Sequence, residues 1–275
     1  IGLLFPPSAA IIMFATVNYF SVDVVELFKG AILPGAIMAL AMMTVGIVMD
    51  RQTVRPAFSV RAIGKAFLHS IPELLMPVCI CVAFFSGMLD LFEVAAFSVV
   101  YAFVLAVIIR RDFSFKRSGT VIAESIPVSG GVLFILGAAS GISYFILDAN
   151  VPAVLTEFIT RFVHSPYLYL FLMNIVLLIV GCLMDMFSAI LIVSPLLLPI
   201  AESFGIPAVR ASVIFLMNLS IGFLTPPVGM DLFIASYTFN KPMSSVIRGV
   251  IPFLLVQLVV LLLITYVPFF TMAFM

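Results

Sequence analysis

Two consecutive prolines, Pro226 and Pro227, stand inside the run Gly222-Phe223-Leu224-Thr225-Pro226-Pro227-Val228-Gly229, in an apolar stretch long enough to cross a bilayer. Each removes a backbone donor, and each ring clashes with the preceding helical turn, so a helix cannot continue through the pair. Thr225, just before them, is pushed towards extended geometry. Gly222 and Gly229 add backbone freedom on either side. The spacing therefore predicts a helix broken at mid-membrane, with 207–223 as its first half and 229–239 as its second. Broken backbone at that depth is tolerated only where it is buried in protein or lines a polar cavity.

The same device opens the chain. Ile1-Gly2-Leu3-Leu4-Phe5-Pro6-Pro7-Ser8 aligns with Ile221-Gly222-Phe223-Leu224-Thr225-Pro226-Pro227-Val228 at an offset of 220. Beyond the break, Phe28-Lys29-Gly30-Ala31-Ile32-Leu33-Pro34 resembles Ile247-Arg248-Gly249-Val250-Ile251-Pro252. A repeat on this scale points to a duplicated fold, so Ser8 to Phe20 is expected to be the second half of a first broken helix. The chain opens at Ile1, just ahead of that break, with no first half to the helix and no signal peptide. It reads as the C-terminal part of a longer protein.

Composition sets the solvent. Of 275 residues, 64% are hydrophobic and only 9% charged, against about 25% charged in soluble domains. This predicts an all-α integral membrane protein. The net charge is zero and the 13 Lys and Arg are dispersed or sit in loops, so there is no nucleic-acid footprint. Cys79, Cys81 and Cys182 lie in apolar runs without disulfide or metal spacing and read as small buried hydrophobes. No His-Glu-x-x-His is present and no Ser/His pair falls in facing spans. That speaks against a membrane-embedded enzyme such as an intramembrane protease. The paired breaks speak against a channel.

Further elements follow in order. Ser21 is the expected N-cap of a new helix whose residues 24–30 form an interfacial arm, followed by a span over 31–49. Residues 59–69 read as an amphipathic surface helix and 71–88 as a span. Asp90 and Glu93 read as a capping box ahead of a span over 94–109. A span over 125–147 carries Gly137-Ala138-Ala139-Ser140-Gly141, a small-residue face suited to close helix contact. Residues 148–165 are polar again. Two apolar arms, 166–183 and 189–201, flank Met184-Asp185-Met186-Phe187-Ser188. Each arm is expected to be short for a span, which predicts a re-entrant hairpin. Residues 241–248 are a polar connector and 250–268 the last span.

Orientation follows from charge. Segments 51–65 and 110–117 carry four Lys or Arg each, which places both in the cytoplasm. Three spans between the two repeats, an odd number, make the repeats inverted. Inverted repeats with discontinuous helices are an architecture of alternating-access transporters, whose ion and substrate sites lie at the breaks.

Two runs carry a family resemblance. Gly181-Cys182-Leu183-Met184-Asp185-Met186-Phe187-Ser188-Ala189-Ile190-Leu191-Ile192-Val193-Ser194-Pro195 and Asn218-Leu219-Ser220-Ile221-Gly222-Phe223-Leu224-Thr225-Pro226-Pro227-Val228-Gly229 resemble the large membrane subunit of TRAP (tripartite ATP-independent periplasmic) transporters. Gly2 to Ser8, with Gly30-Ala31-Ile32-Leu33-Pro34-Gly35, looks like the first-repeat counterpart. The likeness extends over essentially the whole chain and is most specific over 181–233. Arg210, after Pro207-Ala208-Val209, and Asp231 depart from the family pattern, which carries an uncharged residue at the latter position.

The resemblance implies a sodium-coupled, elevator-type importer of organic anions, C4-dicarboxylates or sialic acids, in the bacterial inner membrane. It implies a small membrane subunit and a periplasmic substrate-binding protein as partners, lipid around the spans, and no cofactor besides the coupling sodium. The alternative within transport is a related ion-coupled carboxylate carrier that works without a binding protein. On this reading 1–20 and 166–240 form the transport domain, while 21–50, 51–165 and 241–275 supply arm helices, scaffold spans and loops.

Sodium takes hard oxygen ligands, and unwound backbone supplies carbonyls. The ion-binding candidates are therefore Gly2, Pro6, Ser8, Gly181, Asp185, Gly222, Thr225, Pro226 and Gly229. The substrate-binding candidates are Pro7, Ser188, Asn218, Pro227 and Asp231. Half-helix N-termini favour an anion, and the starts of the arms at Ser188 and Gly229 fit that role. Several of these residues also have a purely structural reading. Asp185, an acid costing at least about 2.5–3.5 kcal/mol at the bilayer centre, can cap the returning arm with help from Ser188. Asp231 can complement a helix dipole, Asn218 can bond across helices, and Glu93 has its capping role. Arg161, Arg210, His69 and His164 read as interface residues, and no arginine stands out within the spans for a carboxylate.

The charge bias makes a direct prediction: a single cysteine at Ser114 or Ser244 should react with an impermeant maleimide only from the cytoplasmic side, and one at Asn150 only from the periplasmic side. Labelling of Ser114→Cys from outside would invert the topology.

Overall fold

The computed structural model describes residues 2–5, 8–18, 21–49, 60–112, 114–227 and 229–274. Pro6, Pro7 and residues 50–59 lie outside the described residues, and with them part of the first break and most of the first basic loop.

Among the described residues the protein is all-α, with no strand. The helices are α1 (Ala9–Val17), α2 (Val24–Met49), α3 (Val60–Phe85), α4 (Leu91–Val104), α5 (Phe115–Asp148), α6 (Val151–Phe162), α7 (Pro166–Leu183), α8 (Met186–Ser203), α9 (Ala208–Gly222), α10 (Met230–Thr238), α11 (Met243–Tyr266) and α12 (Phe269–Met272), with a π-helical turn over Leu105–Ile109. Among the described residues, six helical stretches are long and apolar enough to cross a membrane: Val24–Met49, Gly64–Phe85, Phe92–Ile109, Pro166–Leu183, Met186–Ser203 and Met243–Tyr266. The chain divides into two compact units, Ile1–Arg51 with Val132–Met275, and Gln52–Gly131.

The first unit is built on α9. Every residue from Val209 to Leu219 is buried, which is what an all-round apolar helix must do. Helices α1, α2, α7, α8, α11 and α12 all pack against it. Phe14 of α1 meets Phe215 of α9 edge to face, 5.1 Å between ring centroids. Tyr169 stacks on Phe204 at 5.0 Å, and its hydroxyl donates to the Leu197 carbonyl at 2.8 Å.

In the second unit, Arg110 ties the end of the π-helical turn to α3. Its Nε donates to Glu73 Oε1 at 2.5 Å and its Nη2 to Glu73 Oε2 at 2.7 Å. Its Nη1 lies 2.7 Å from His69 Nε2. Glu73, which the sequence did not single out, is thus the partner of a residue that read as a free loop charge.

Several boundaries differ from the sequence reading, and for one reason. In a bilayer the backbone must satisfy itself, so helices run on through polar residues and single prolines. The arm at 24–30 and the span at 31–49 are one helix through Pro34. Residues 60–85 are one helix through Pro72 and Pro77, and the connector at 243–248 is the first part of α11, through Pro252. Asp23, not Ser21, caps α2: its Oδ2 accepts from Val25 N at 2.9 Å. Residues 148–165 hold an amphipathic helix, α6, with Arg161 and Glu157 paired at 3.5 Å on an exposed face. The hairpin arms are 18 residues each, about 27 Å at 1.5 Å per residue, so neither is short for a span. Gly137 and Gly141 face open space.

The repeat survives as a layout. A nine-residue half-helix (α1, α10) is followed by a long helix with a proline in its third turn (α2, α11). Burial is not repeated. Gly30 of α2 lies against Val209 of α9, its would-be Cβ 3.0 Å from Val209 Cγ1, whereas its repeat mate Gly249 is open.

The capping box ahead of α4 is present: Asp90 Oδ1 accepts from Phe92 N and Glu93 N at 2.8 and 2.9 Å, and Glu93 Oε2 accepts from Asp90 N at 2.9 Å. Asp90→Ala should therefore cost about 0.5–2 kcal/mol, seen as a lowered Tm in detergent, while Glu93→Gln, which keeps the acceptor, should leave Tm nearly unchanged.

Candidate functional site

The break falls where the paired prolines place it. Helix α9 ends at Gly222, α10 starts at Met230, and the Pro226–Pro227 bond is cis. The loop between them is held from three sides. Thr225 N–H donates to the Gly222 carbonyl at 2.9 Å, and Thr225 Oγ1 donates to Ile221 O at 2.9 Å. Asp231 N–H donates to Phe223 O at 3.2 Å. Gly229 N–H reaches across to Cys182 O on the hairpin at 3.3 Å.

That last bond is possible because two helices touch through bare backbone. A Cβ on Gly222 would lie 2.6 Å from Gly181 Cα, and one on Gly181 would lie 3.0 Å from Gly222 Cα. Any side chain at either position would force α7 and α9 apart. Gly229 has φ +41°, and a Cβ there would sit 2.9 Å from both Phe223 O and Thr225 O. Two main-chain carbonyl oxygens therefore converge on one side of the break, in the space that the missing side chain leaves.

The hairpin tip follows three residues after Cys182. Asp185 caps α8: Oδ2 accepts from Phe187 N at 3.0 Å and Ser188 N at 3.1 Å, and Ser188 Oγ donates to Oδ1 at 2.5 Å. The carboxylate thus occupies the position at which the α8 N-terminus would hold an anion. The N-terminus of α10 has no side-chain cap.

At the first repeat, Ser8 is 2% exposed, donates through Oγ to Leu3 O at 2.7 Å and accepts from Ile11 N at 3.3 Å as the cap of α1. Gly2 is exposed with open space around it. Helix α1 is tied to the hairpin by Asn18 Nδ2, which donates to Ser194 Oγ of α8 at 2.7 Å.

The sequence matches one known family. The family model described as "Tripartite ATP-independent periplasmic transporter, DctM component" matches residues 1–270. The chain belongs to this family. Among its relatives are the C4-dicarboxylate TRAP transporter large permease protein DctM of Pseudomonas aeruginosa, 31% identical over 99% of this chain and 64% of its own length. Another is the sialic acid TRAP transporter large permease protein SiaM of Vibrio cholerae, 28% identical over 99% of this chain and 64% of its own. A third is the isethionate TRAP transporter permease protein DctMQ of Oleidesulfovibrio alaskensis, 29% identical over the full chain and 44% of its own. The chain thus spans just under two thirds of the length of the large permeases it matches. These relatives are named as transporter permeases, not enzymes.

In this DctM-family chain the expected site residues fall into three groups. Gly181, Gly222, Thr225, Pro226, Pro227 and Gly229 meet at or beside the break, with Asp185 and Ser188 at the tip and Asp231 in the first turn of α10. Ser8 and Gly2 belong to the first break, whose Pro6 and Pro7 lie outside the described residues. Asn218 sits one turn above the break, fully buried, and Nδ2 donates to Asn174 Oδ1 at 2.6 Å and Ile214 O at 2.8 Å.

Arg210 is not an interface residue in water. It is 9% exposed, and Nη2 donates to the Thr265 carbonyl at 2.7 Å, satisfying an orphan carbonyl in the last turn of α11, where a cation also suits the dipole. Asn174 and Thr265, which complete this buried polar chain, carried no signal in sequence: each is a single polar residue in an apolar run. An apolar groove of about 470 Å3 between α6, α7 and α8, lined by Phe158, Phe162, Tyr169, Leu172 and Met173, offers nothing that suits an anion.

The Gly181–Gly222 contact sets the geometry of the break, so Gly222→Ala should cost about 1–3 kcal/mol as overpacking and sharply reduce uptake in proteoliposomes. Gly137→Ala, in open space, should leave both Tm and uptake unchanged.

Proposed function

We propose that this chain is the translocating core of a sodium-coupled secondary importer of small organic anions in the bacterial inner membrane. The observation that carries the reading is the pinned break: carbonyls of Phe223 and Thr225 converge beside Gly229, held there by the hairpin through Gly181, Gly222 and Cys182 O. Main-chain oxygens freed from helical bonding suit a hard monovalent cation. Thr225 Oγ1 spends its proton on Ile221 O, which leaves its lone pairs for the ion. Ser8 is placed similarly at the first break, with its proton on Leu3 O.

The substrate anion is assigned to the N-terminus of α10, the half-helix without a side-chain cap, with Ser188 and Pro227 as candidate contacts. The relatives' substrates, as named, are C4-dicarboxylates, sialic acid and isethionate, and all are organic acids. A small membrane subunit and a periplasmic binding protein are the partners this reading requires. The hairpin enters and leaves on the periplasmic side, and 1–20 with 166–240 slide as one body against the scaffold. The two repeats are inverted, which gives the body two equivalent end positions.

Sodium-dependent uptake of candidate acids into proteoliposomes, with and without binding protein, is the test. Replacing both Pro226 and Pro227 by Ala should let α9 run on and hide its carbonyls, abolishing uptake. Thr225→Val keeps the shape and removes one oxygen, so it should raise the sodium concentration for half-maximal uptake several-fold with unchanged expression. Uptake by the double proline variant with an unaltered sodium curve would show the break to be a packing kink. Uptake that does not depend on the binding protein would favour the simpler carrier.

A further inference from the structure

The π-helical turn at Leu105–Ile109 ends a stretch, Phe92–Ile109, that is long and apolar enough to cross a membrane. Widened bonds close it: Arg110 N–H donates to Leu105 O at 2.8 Å and Asp112 N–H to Ala106 O at 2.9 Å. Such turns are rare in helices and frequent at functional sites. Directly after it, Arg111 has φ +57°. That is the left-handed region, which costs a side-chain-bearing residue and is found at ligand clamps. Phe103 and Phe115 meet edge to face, 6.1 Å between centroids, and hold the start of α5 to α4.

Beside the turn lies an open cavity of about 480 Å3, lined by Val107, Ile108, Arg111 and Ser114. Small-molecule sites run from about 300 to 1,000 Å3. The lining has two characters. Val107 and Ile108 belong to the apolar run, Arg111 and Ser114 to the basic loop that follows it. The cavity therefore straddles the boundary between hydrocarbon and water. The charge around it is not neutralised within the protein. Arg110 is taken by Glu73. Arg111, Lys116 and Arg117 are exposed and form no ion pair among the described residues, and Asp112 is the one acid in 110–117. Ser118, one turn beyond Ser114, is 6% exposed, and its hydroxyl has no partner.

We propose that this cavity binds an anionic phospholipid of the cytoplasmic leaflet, with its phosphate on Arg111 and Ser114 and the upper part of an acyl chain along Val107 and Ile108. A soluble anion would leave the apolar wall unused. A lipid without net charge would leave the excess of cations unmatched. An anionic phospholipid meets both walls, and the end of a membrane-spanning helix is the depth at which its phosphate lies. The leaflet follows from the Lys/Arg bias that places 110–117 in the cytoplasm, where anionic lipids attract basic segments and basic pockets take their head groups. Lys116 and Arg117 do not line the cavity and act on the same head group at longer range. The proposal rests on the membrane placement of this helix and its loop, not on the sodium and substrate assignments.

The test uses the full-length transporter, with and without its small subunit, delipidated in detergent and titrated with phosphatidylglycerol, phosphatidylcholine or inorganic phosphate. Phosphatidylglycerol should slow hydrogen exchange over residues 105–114 and raise Tm, and the other two should do neither at equal concentration. Glycine is at ease at the φ of +57° that Arg111 adopts. Arg111→Gly should therefore fold at least as well as the parent, with an equal or higher Tm before lipid is added. It should nonetheless need at least about fivefold more phosphatidylglycerol for half-maximal protection, the worth of one basic residue at a membrane surface. Arg111→Lys should keep the response, Lys116→Gln should weaken it by less than Arg111→Gly, and Arg161→Gln, on exposed α6, should not move it. An unshifted phosphatidylglycerol curve in Arg111→Gly would overturn the site. Equal protection by phosphatidylcholine would make it a plain apolar crevice, and equal protection by inorganic phosphate a site for a soluble anion. Protection of 105–114 by the small subunit, unchanged when lipid is added, would give the cavity to that subunit. Each of these three outcomes would also overturn the lipid assignment.

Discussion

Everything near the break depends on one contact without side chains, Gly181 of α7 on Gly222 of α9. Hydrocarbon supplies no hydrogen bonds, so backbone that leaves a helix inside a membrane must find partners in neighbouring protein. The paired glycines bring the hairpin close enough to supply one: Cys182 O accepts from Gly229 N–H. Phe223 O and Thr225 O are then held side by side rather than lost in a continued helix. A methyl group at either glycine would separate the helices and take the loop's anchor with it.

The same economy runs through the interior of the first unit. Helix α9 is buried from Val209 to Leu219, and its two longest polar side chains, Arg210 and Asn218, reach α11 and α7. Asn218 gives both amide protons to Asn174 and Ile214, Asn174 passes on to Thr265, and Arg210 closes the end of α11. Polar groups buried this deeply are worth most when every partner is present. The places where the accounting fails, Asn218 Oδ1, Arg210 Nε and Gln257 Oε1, are therefore the informative ones. Two of the three lie on Arg210 and Gln257, on α9 and α11.

The repeats show how duplication and function separate. Both halves keep a nine-residue half-helix and a long helix with an internal proline. Their capping differs: Ser8 caps α1 with its hydroxyl, while α10 starts from Gly229 with no side-chain cap and an acid, Asp231, in its first turn. Their burial differs as well, because α2 lies against α9 at Gly30 and α11 leaves Gly249 open. Two breaks that look alike in sequence thus present different chemistry, one with a serine oxygen and one with a threonine oxygen and an open helix end.

The sequence by itself determined the membrane solvent, the break at Pro226-Pro227, the hairpin tip at Asp185, the box at Asp90 and Glu93, and the family. These rest on local rules: a missing N–H, a side chain reaching three residues along its own chain, an apolar run of fixed length. It misplaced the limits of α2, α3 and α11, since local polarity says nothing of the requirement that membrane backbone stay hydrogen-bonded. It could not show that Gly181 faces Gly222, that Arg210 is buried against Thr265, or that Glu73 meets Arg110. Those pairs are separated by 41, 55 and 37 residues, and only the packing of whole helices decides which lone polar or lone small residue meets which.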